Sequence, residues 1–315
     1  MELRQLRYFV AVADELHFGR AALRLHISGP ALSQQIQGLE KALGAELLIR
    51  DRRSVRLTEA GRSFLEDARR ILALADDAEQ RVRRRAAEAS TLRLGYVSWL
   101  PDNIQALLDP AVALRLDEWV LPSHTQADRV ADGNLDFAVA WITATDVKSR
   151  NLTAHLLRAE RLEAVSAGTN SDIPVRASEV RVLIDSDESA WSSWNRFGME
   201  FAAQANGRVT RIDDGGITGA AFYAHVRRIR RPVLASPKRH TAASPPILGR
   251  RPIIDPAPLW TWSLLHRADD DRPIVQRVVD ALVAFARSSQ WTTPPDESWW
   301  TPNDDPHRAV LLGNA

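Results

Sequence analysis

Five polar residues at helical spacing, Ser28, Pro30, Ser33, Gln34 and Gln37, form the stretch of this 315-residue chain best suited to act by contact. Hydroxyl and amide groups in one short ridge can donate to and accept from base-pair edges, and such a ridge fits a major groove. A second group, Arg50, Arg52, Arg53 and Arg56, follows on one short segment. Clustered guanidinium groups suit phosphate oxygens or a minor groove. A solvated basic hairpin is the alternative for these arginines.

The elements that must position both groups are legible as patterns. Ala21, Ala22 and Leu25 share one face of a short helix, while Leu32, Ile36, Leu39 and Leu43 share one face of the next. The connection His26-Ile27-Ser28 is too short to wander. Ser28 is placed to cap the second helix, Pro30 is tolerated in its first turn, and Gly44 ends it. The small Ala21 and Ala22 let the two helices cross closely. Pattern alone leaves an ordinary helical hairpin open. Glu46 to Leu57 then reads as two short strands around a turn at Arg52-Arg53-Ser54, a wing. Leu3, Leu6, Phe9, Val10 and Ala13 supply a third helix to close a small core. Thr58 caps a helix that runs to about Ala89. Its residues Phe64, Ala68, Ile71, Ala75, Ala78 and Val82 make a heptad stripe suited to pairing with a second copy. Packing within its own domain is the alternative. Arg81, Arg83, Arg84 and Arg85 read as a solvated linker end.

The segments FGRAALRLHIS, PALSQQI, LE-x-x-LG, L-x-R and VRLTEAG, in this order, resemble the amino-terminal domain of LysR-type transcriptional regulators from about Leu3 to about Ala89. The resemblance implies that Ser33 and Gln34 face DNA from the recognition helix and that Arg50 and Arg53 serve the wing. It also implies a dimer or dimer of dimers on a two-fold symmetric duplex site. One departure stands out: the family commonly carries Gln where this chain has Gly29.

Beyond Thr91 the chain changes character, and all ten Trp lie there. Strand-like segments alternate with helical ones, as parallel-sheet α/β domains require. Leu92 to Val97, Leu135 to Trp141, Val180 to Ile184 and Val209 to Ile212 read as strands, and Pro273 to Arg287 as an amphipathic helix. LRLGYV, GNLDFAVA and HLLRAERLEAVSAG resemble the first lobe and crossover of the same family's effector domain, which implies two α/β lobes of periplasmic-binding-protein type joined by two crossing strands. The second lobe matches poorly, with Arg230-Arg231-Pro232 where a glycine-rich turn is usual. The expected organisation is an α/β protein with a winged helix-turn-helix at 1–58, a linker helix at 59–90, a two-lobed domain at 91–290 and a tail at 291–315. The prolines of that tail argue against regular structure.

Ligands of α/β lobes sit beyond the carboxyl ends of strands, which selects Ser98, Trp99 and Thr143, with Ser186 and Ser189 from the second lobe. Hydroxyls and helix N-termini favour a small carboxylate effector. For each residue an ordinary cap or core role is equally open.

Composition sets bounds on these readings. A net charge of +1 means that nucleic-acid affinity must come from local patches. The absence of cysteine removes disulfides and thiolate chemistry. No apolar run reaches the roughly 18 residues of a membrane span, and the start lacks a signal peptide's apolar core, so a cytoplasmic protein without membrane partners is expected. No GxSxG, HExxH, P-loop or GxGxxG occurs, and the His residues lack metal-ligand spacing, so neither an enzyme nor a metal or cofactor is expected. Asp213-Asp214-Gly215-Gly216 reads as a plain tight turn. The two functional expectations are a DNA-binding regulator that senses a small effector, and an architectural DNA-binding protein whose second half only oligomerises.

Overall fold

The computed structural model describes residues 1–50, 55–86, 91–168, 173–237, 245–295 and 298–313, without the side chains of Arg50 and of residues 80–86. The chain divides into two compact units, Met1–Glu88 and Ala89–Ala315.

In the first unit, α1 (Leu3–Glu15), α2 (Phe18–Arg24) and α3 (Gly29–Leu43) bury Leu6, Phe9, Ala21, Ala22, Leu32, Ile36 and Leu39 against one another. Leu3 and Leu43 belong to the same sequence stripes but lie exposed at helix ends. Ser28 caps α3, accepting from the Ala31 amide at 3.4 Å, and Gly44 closes it at φ +68, a conformation glycine takes without strain. Strands β1 (Leu48–Arg50) and β2 (Val55–Leu57) pair antiparallel. The Thr58 hydroxyl then caps α4 (Glu59–Ala86), accepting from the Gly61 amide at 2.8 Å. A Cβ on Gly61 would lie 2.0 Å from the Leu47 carbonyl, so the wing and α4 meet only because glycine stands there.

The second unit holds two six-stranded sheets. The first has the order β14-β13-β5-β3-β4, with β6 also paired to β13. Its members are β3 (Thr91–Tyr96), β4 (Ala113–Leu116), β5 (Phe137–Ala140) and β6 (Leu152–Arg161), with α5 (Ser123–Ala131) and α6 (Ala144–Ser149) between them. The chain crosses to the second sheet through β7 (Glu163–Ala167). It continues through β8 (Val175–Arg176), β9 (Arg181–Asp185), α7 (Glu188–Gln204), β10 (Arg208–Ile212), α8 (Gly219–Ile229) and β11 (Val233–Leu234). It returns along β12 (Leu248–Ile254) and β13 (Ala257–Arg267), then ends in α9 (Pro273–Ser288), β14 (Trp299–Trp300) and α10 (Arg308–Leu311). The second sheet has the order β10-β9-β11-β7-β12-β8. Thus β6–β7 and β12–β13 are the two crossings, and they fix the lobes side by side.

The tail corrects a sequence expectation. It contains β14, which pairs parallel with β13, and α10. Asp305 accepts hydrogen bonds from the hydroxyls of Thr261 at 2.6 Å and Thr301 at 2.9 Å, and His307 meets the Ser263 hydroxyl at 2.8 Å. Buried contacts with β13 order a segment whose prolines exclude only helix and central strand.

Candidate nucleic-acid interface and interlobe pocket

Ser28, Pro30, Gln34 and Gln37 are exposed on α3, and Ser33 is half-buried beside them. Burial of Leu32, Ile36 and Leu39 on the opposite face fixes which way this ridge points. Gly29 borders it, and a Cβ there would meet nothing within 4 Å. The Arg56 side chain is exposed on β2, opposite Ile49. Arg52 and Arg53 lie outside the described residues, as does the side chain of Arg50.

Sequence reasoning missed the residue that ties ridge to wing. The Glu40 carboxylate, buried side of α3, accepts from the Leu47 amide at 3.0 Å and the Leu48 amide at 3.1 Å. The LE-x-x-LG segment was its signal: a carboxylate one turn before a helix-ending glycine faces the chain that turns back past it. Arg7–Asp76 and Arg69–Asp14 contacts, each 2.7 Å, hold α4 on α1.

The α4 stripe is split. Phe64 packs on Phe9 with ring centroids 5.5 Å apart, and Ala68 is 0% exposed, so both serve the core of their own unit together with Leu72. This corrects the expectation that Phe64 and Ala68 face a second copy. The reason is that α1 already covers that side of the helix. Ile71 and Ala78 are exposed, Ala75 is half-buried, and Leu74, outside the expected stripe, is 63% exposed. The side chain of Val82 lies outside the described set.

In the second unit the expected effector residues do not converge. Thr143 is buried as the cap of α6, its hydroxyl accepting from the Asp146 amide at 3.0 Å and donating to the Asp146 carboxylate at 2.8 Å. Asp304 from the tail also engages that helix start, taking the Ala144 amide on its carbonyl at 2.7 Å and the Thr145 amide on its carboxylate at 3.3 Å. Trp99 is a core aromatic, 5.4 Å from Trp291 and 5.9 Å from Trp262, with the Arg158 guanidinium 5.3 Å over its ring. Ser186 is exposed, and Ser189 spends its hydroxyl on the Asp187 carboxylate at 2.6 Å. Ser98 has a buried hydroxyl without a partner, but it lines a separate open hollow beside Tyr96 and Asn103.

A different pocket opens between the lobes, enclosing about 380 Å³ including its mouth. Ser123 at the start of α5, Trp191 and Ser193 on α7, Ser236 after β11, and Trp260 and Trp262 on β13 line it. Trp260 stacks on Trp141 at 5.3 Å and meets Trp262 edge to face at 6.0 Å. The indole N–H of Trp262 donates to Glu160 at 2.7 Å, whereas Trp260 Nε1 and Ser236 Oγ are buried without partners. Beside the pocket the Ser192 hydroxyl meets His124 Nδ1 at 3.0 Å, linking α7 to α5 across the cleft. No local sequence pattern joins residues 123, 193, 236 and 260, so periodicity could not find them. Near the start of α7, burial pushes the Asp185 carboxyl above its ordinary range, against hydrogen bonds from the Asp187 and Gly215 amides. Burial raises Asp214 too, but its contact with His225 outweighs that and leaves it below the usual range. Among the described residues no cluster of His, Cys, Asp and Glu converges on a metal position, and no helix is long and apolar enough to cross a membrane.

A winged helix-turn-helix followed by a two-lobed α/β unit with an interlobe pocket defines the class of this protein. Residues 3–62 match the family model described as bacterial regulatory helix-turn-helix protein, lysR family. The chain is 57% identical over 118 residues to the uncharacterized HTH-type transcriptional regulator YnfL of Escherichia coli, an alignment covering 37% of this chain and 39% of that protein. It is 37% identical over 193 residues to the HTH-type transcriptional regulator TfdT of Cupriavidus pinatubonensis, covering 59% of this chain and 81% of that protein. The chain spans about half the length of the first curated relatives it matches. A crystal structure of a full-length BenM mutant shares the fold, with a TM-score of 0.50, 24% identity and coverage of 94% of this chain and 99% of that one. The chain belongs to the LysR family of bacterial helix-turn-helix regulators. The relatives named here are regulators, not enzymes.

Proposed function

We propose that this protein is a sequence-specific DNA-binding transcriptional regulator that responds to a small effector. The observation that supports DNA binding is the polar ridge Ser28, Pro30, Ser33, Gln34 and Gln37, held outward by a fully buried opposite face and braced to the wing by Glu40. Ser33 and Gln34 read base edges, while Arg50, Arg52, Arg53 and Arg56 hold phosphates. Two copies pair through the exposed side of α4, at Ile71, Leu74 and Ala78, and place two ridges on a two-fold symmetric duplex site; a dimer of dimers extends the same arrangement. A soluble, cytoplasmic protein fits this role. The effector is a small carboxylate-bearing molecule seated between the lobes of the second unit, and the partnerless donors in the pocket favour this over a purely architectural second unit.

Binding to the duplex selected by genomic mapping tests the reading. Affinity is expected to fall linearly on a log–log plot against salt as phosphates shed counterions, and Arg56→Ala is expected to weaken all sequences alike. Ser33→Ala and Gln34→Ala are expected to cost about 1–3 kcal/mol on the selected site and little on random DNA. Salt-independent binding, or equal loss on both DNAs, overturns it.

A further inference from the structure

The interlobe pocket is chemically one-sided. Among the described residues that line it none is charged. Its polar groups are the hydroxyls of Ser123, Ser193 and Ser236 and the indole N–H of Trp260. Trp260 Nε1 can only donate, and Ser236 Oγ lacks any acceptor; the two residues are 4% and 5% exposed. A buried donor without a partner costs free energy unless a ligand supplies the acceptor.

The two helix starts at the pocket differ in sign. On the first lobe, Pro122 and Ser123 begin α5, whose first turn has no side-chain cap and so presents the positive end of the helix. On the second lobe, the first turn of α7 is already occupied, because the Asp187 carboxylate takes the amides of Ser189 and Ala190 at 3.0 and 3.1 Å. One anionic group is therefore welcome at α5, and a second beside Asp187 is repelled without any cation to offset it. The walls between are the faces and edges of Trp191, Trp260 and Trp262, which suit a flat ring. The pocket's 380 Å³ is an upper figure because it includes the mouth. A cavity of about 150 Å³ already accepts benzene. The space thus takes one ring and its substituent.

From this asymmetry we infer that the pocket selects a single-ring aromatic monoanion, carboxylate toward Ser123 and the start of α5, ring among the indoles, with Ser236 and Trp260 donating to its oxygens. The inference rests on the reading of the second unit as an effector sensor. It sharpens that reading, because a dicarboxylate or an uncharged ring of the same size is rejected.

The test uses the full-length protein, with indole fluorescence and melting temperature as readouts and benzoate, benzamide and terephthalate as probes. Benzoate is expected to saturate both signals, with benzamide and terephthalate weaker by about tenfold or more. Trp260→Phe, which keeps a ring and removes the N–H, and Ser236→Ala are each expected to weaken benzoate by roughly three- to tenfold. Ser189→Ala, on a hydroxyl bound to Asp187, is expected to leave it unchanged. Benzamide or terephthalate binding as well as benzoate overturns the inference, as does benzoate affinity indifferent to both pocket substitutions in variants that melt normally. Silence of all three probes while DNA affinity is intact also overturns it. Saturable benzoate binding that leaves DNA affinity unchanged upholds the ligand class and removes the sensor role.

Discussion

Gly29 is a residue whose identity the fold does not require. Its backbone lies in the first turn of α3 without positive φ, and a Cβ there would meet nothing within 4 Å. The related family commonly has Gln at this place, so a base-reading side chain has been removed here without steric cause. Gly29→Gln is expected to leave the melting temperature within about 1 °C or raise it, since glycine inside a helix costs roughly 1 kcal/mol. It is also expected to change the bases selected from a random duplex library at positions facing the start of α3. An unchanged selected site means that this corner of the ridge does not reach the bases. Gly61 is the contrasting case, where the Leu47 carbonyl forbids any side chain.

At the scale of elements, α4 does two jobs with two faces. Phe64, Ala68 and Leu72 lie against α1, so a charge at Ala68 is buried in the same chain and must unfold or distort the unit. Ile71, Leu74 and Ala78 point away from that core. Leu74→Glu is therefore expected to leave the melting temperature nearly unchanged and halve the mass measured by light scattering, whereas Ala68→Glu is expected to lower the melting temperature sharply. A Leu74→Glu protein with the parent's mass rules out this face as the pairing surface. Glu40 shows the same economy of position, one carboxylate setting the wing against α3 through two amides.

Across the whole molecule, pH reports on how the tail is seated. Burial, with a contribution from the charge of His155, lowers the His307 pKa from 6.5 to about 4. His155 and His266, joined Nε2 to Nε2 at 3.1 Å, are lowered as well, both by burial first. The ring separation of 5.3 Å with planes 5° apart fits an end-to-end imidazole pair, its centroids one hydrogen bond plus two ring radii apart. A histidine held below its unfolded pKa binds fewer protons when folded. Its stability is intact above pH 6.5 and is lost as pH falls through the window down to about 4. Asp305, raised by burial, acts in the opposite direction near the acid end of that window. His307 alone is expected to cost about 2 kcal/mol at pH 5 relative to pH 7.5. Melting at the two pH values checks this, and His307→Asn is expected to be less stable at pH 7.5 but less sensitive to pH. Equal pH dependence in parent and variant shows that the tail does not hold His307 buried and neutral.

The sequence by itself determined the recognition unit, because every signal there is local. The alternation of Leu32, Ile36 and Leu39 chooses the buried face of α3, Ser28 and Gly44 bound the helix chemically, and the remaining polar residues have only one side left to occupy. The strands of the second unit were legible for the same reason, as in the apolar run of β5. Tertiary structure decided what depends on residues far apart in the chain. It assigned Ala68 to its own core because α1 reaches that side of α4, and it spent the Thr143 cap and the α6 amides on Asp146 and Asp304. It also ordered a proline-rich tail by burying Asp305 and His307. The pocket belongs wholly to this second kind, since Ser123, Ser236 and Trp260 meet only after two crossings between the sheets, and a hydroxyl's lack of a partner exists only in three dimensions.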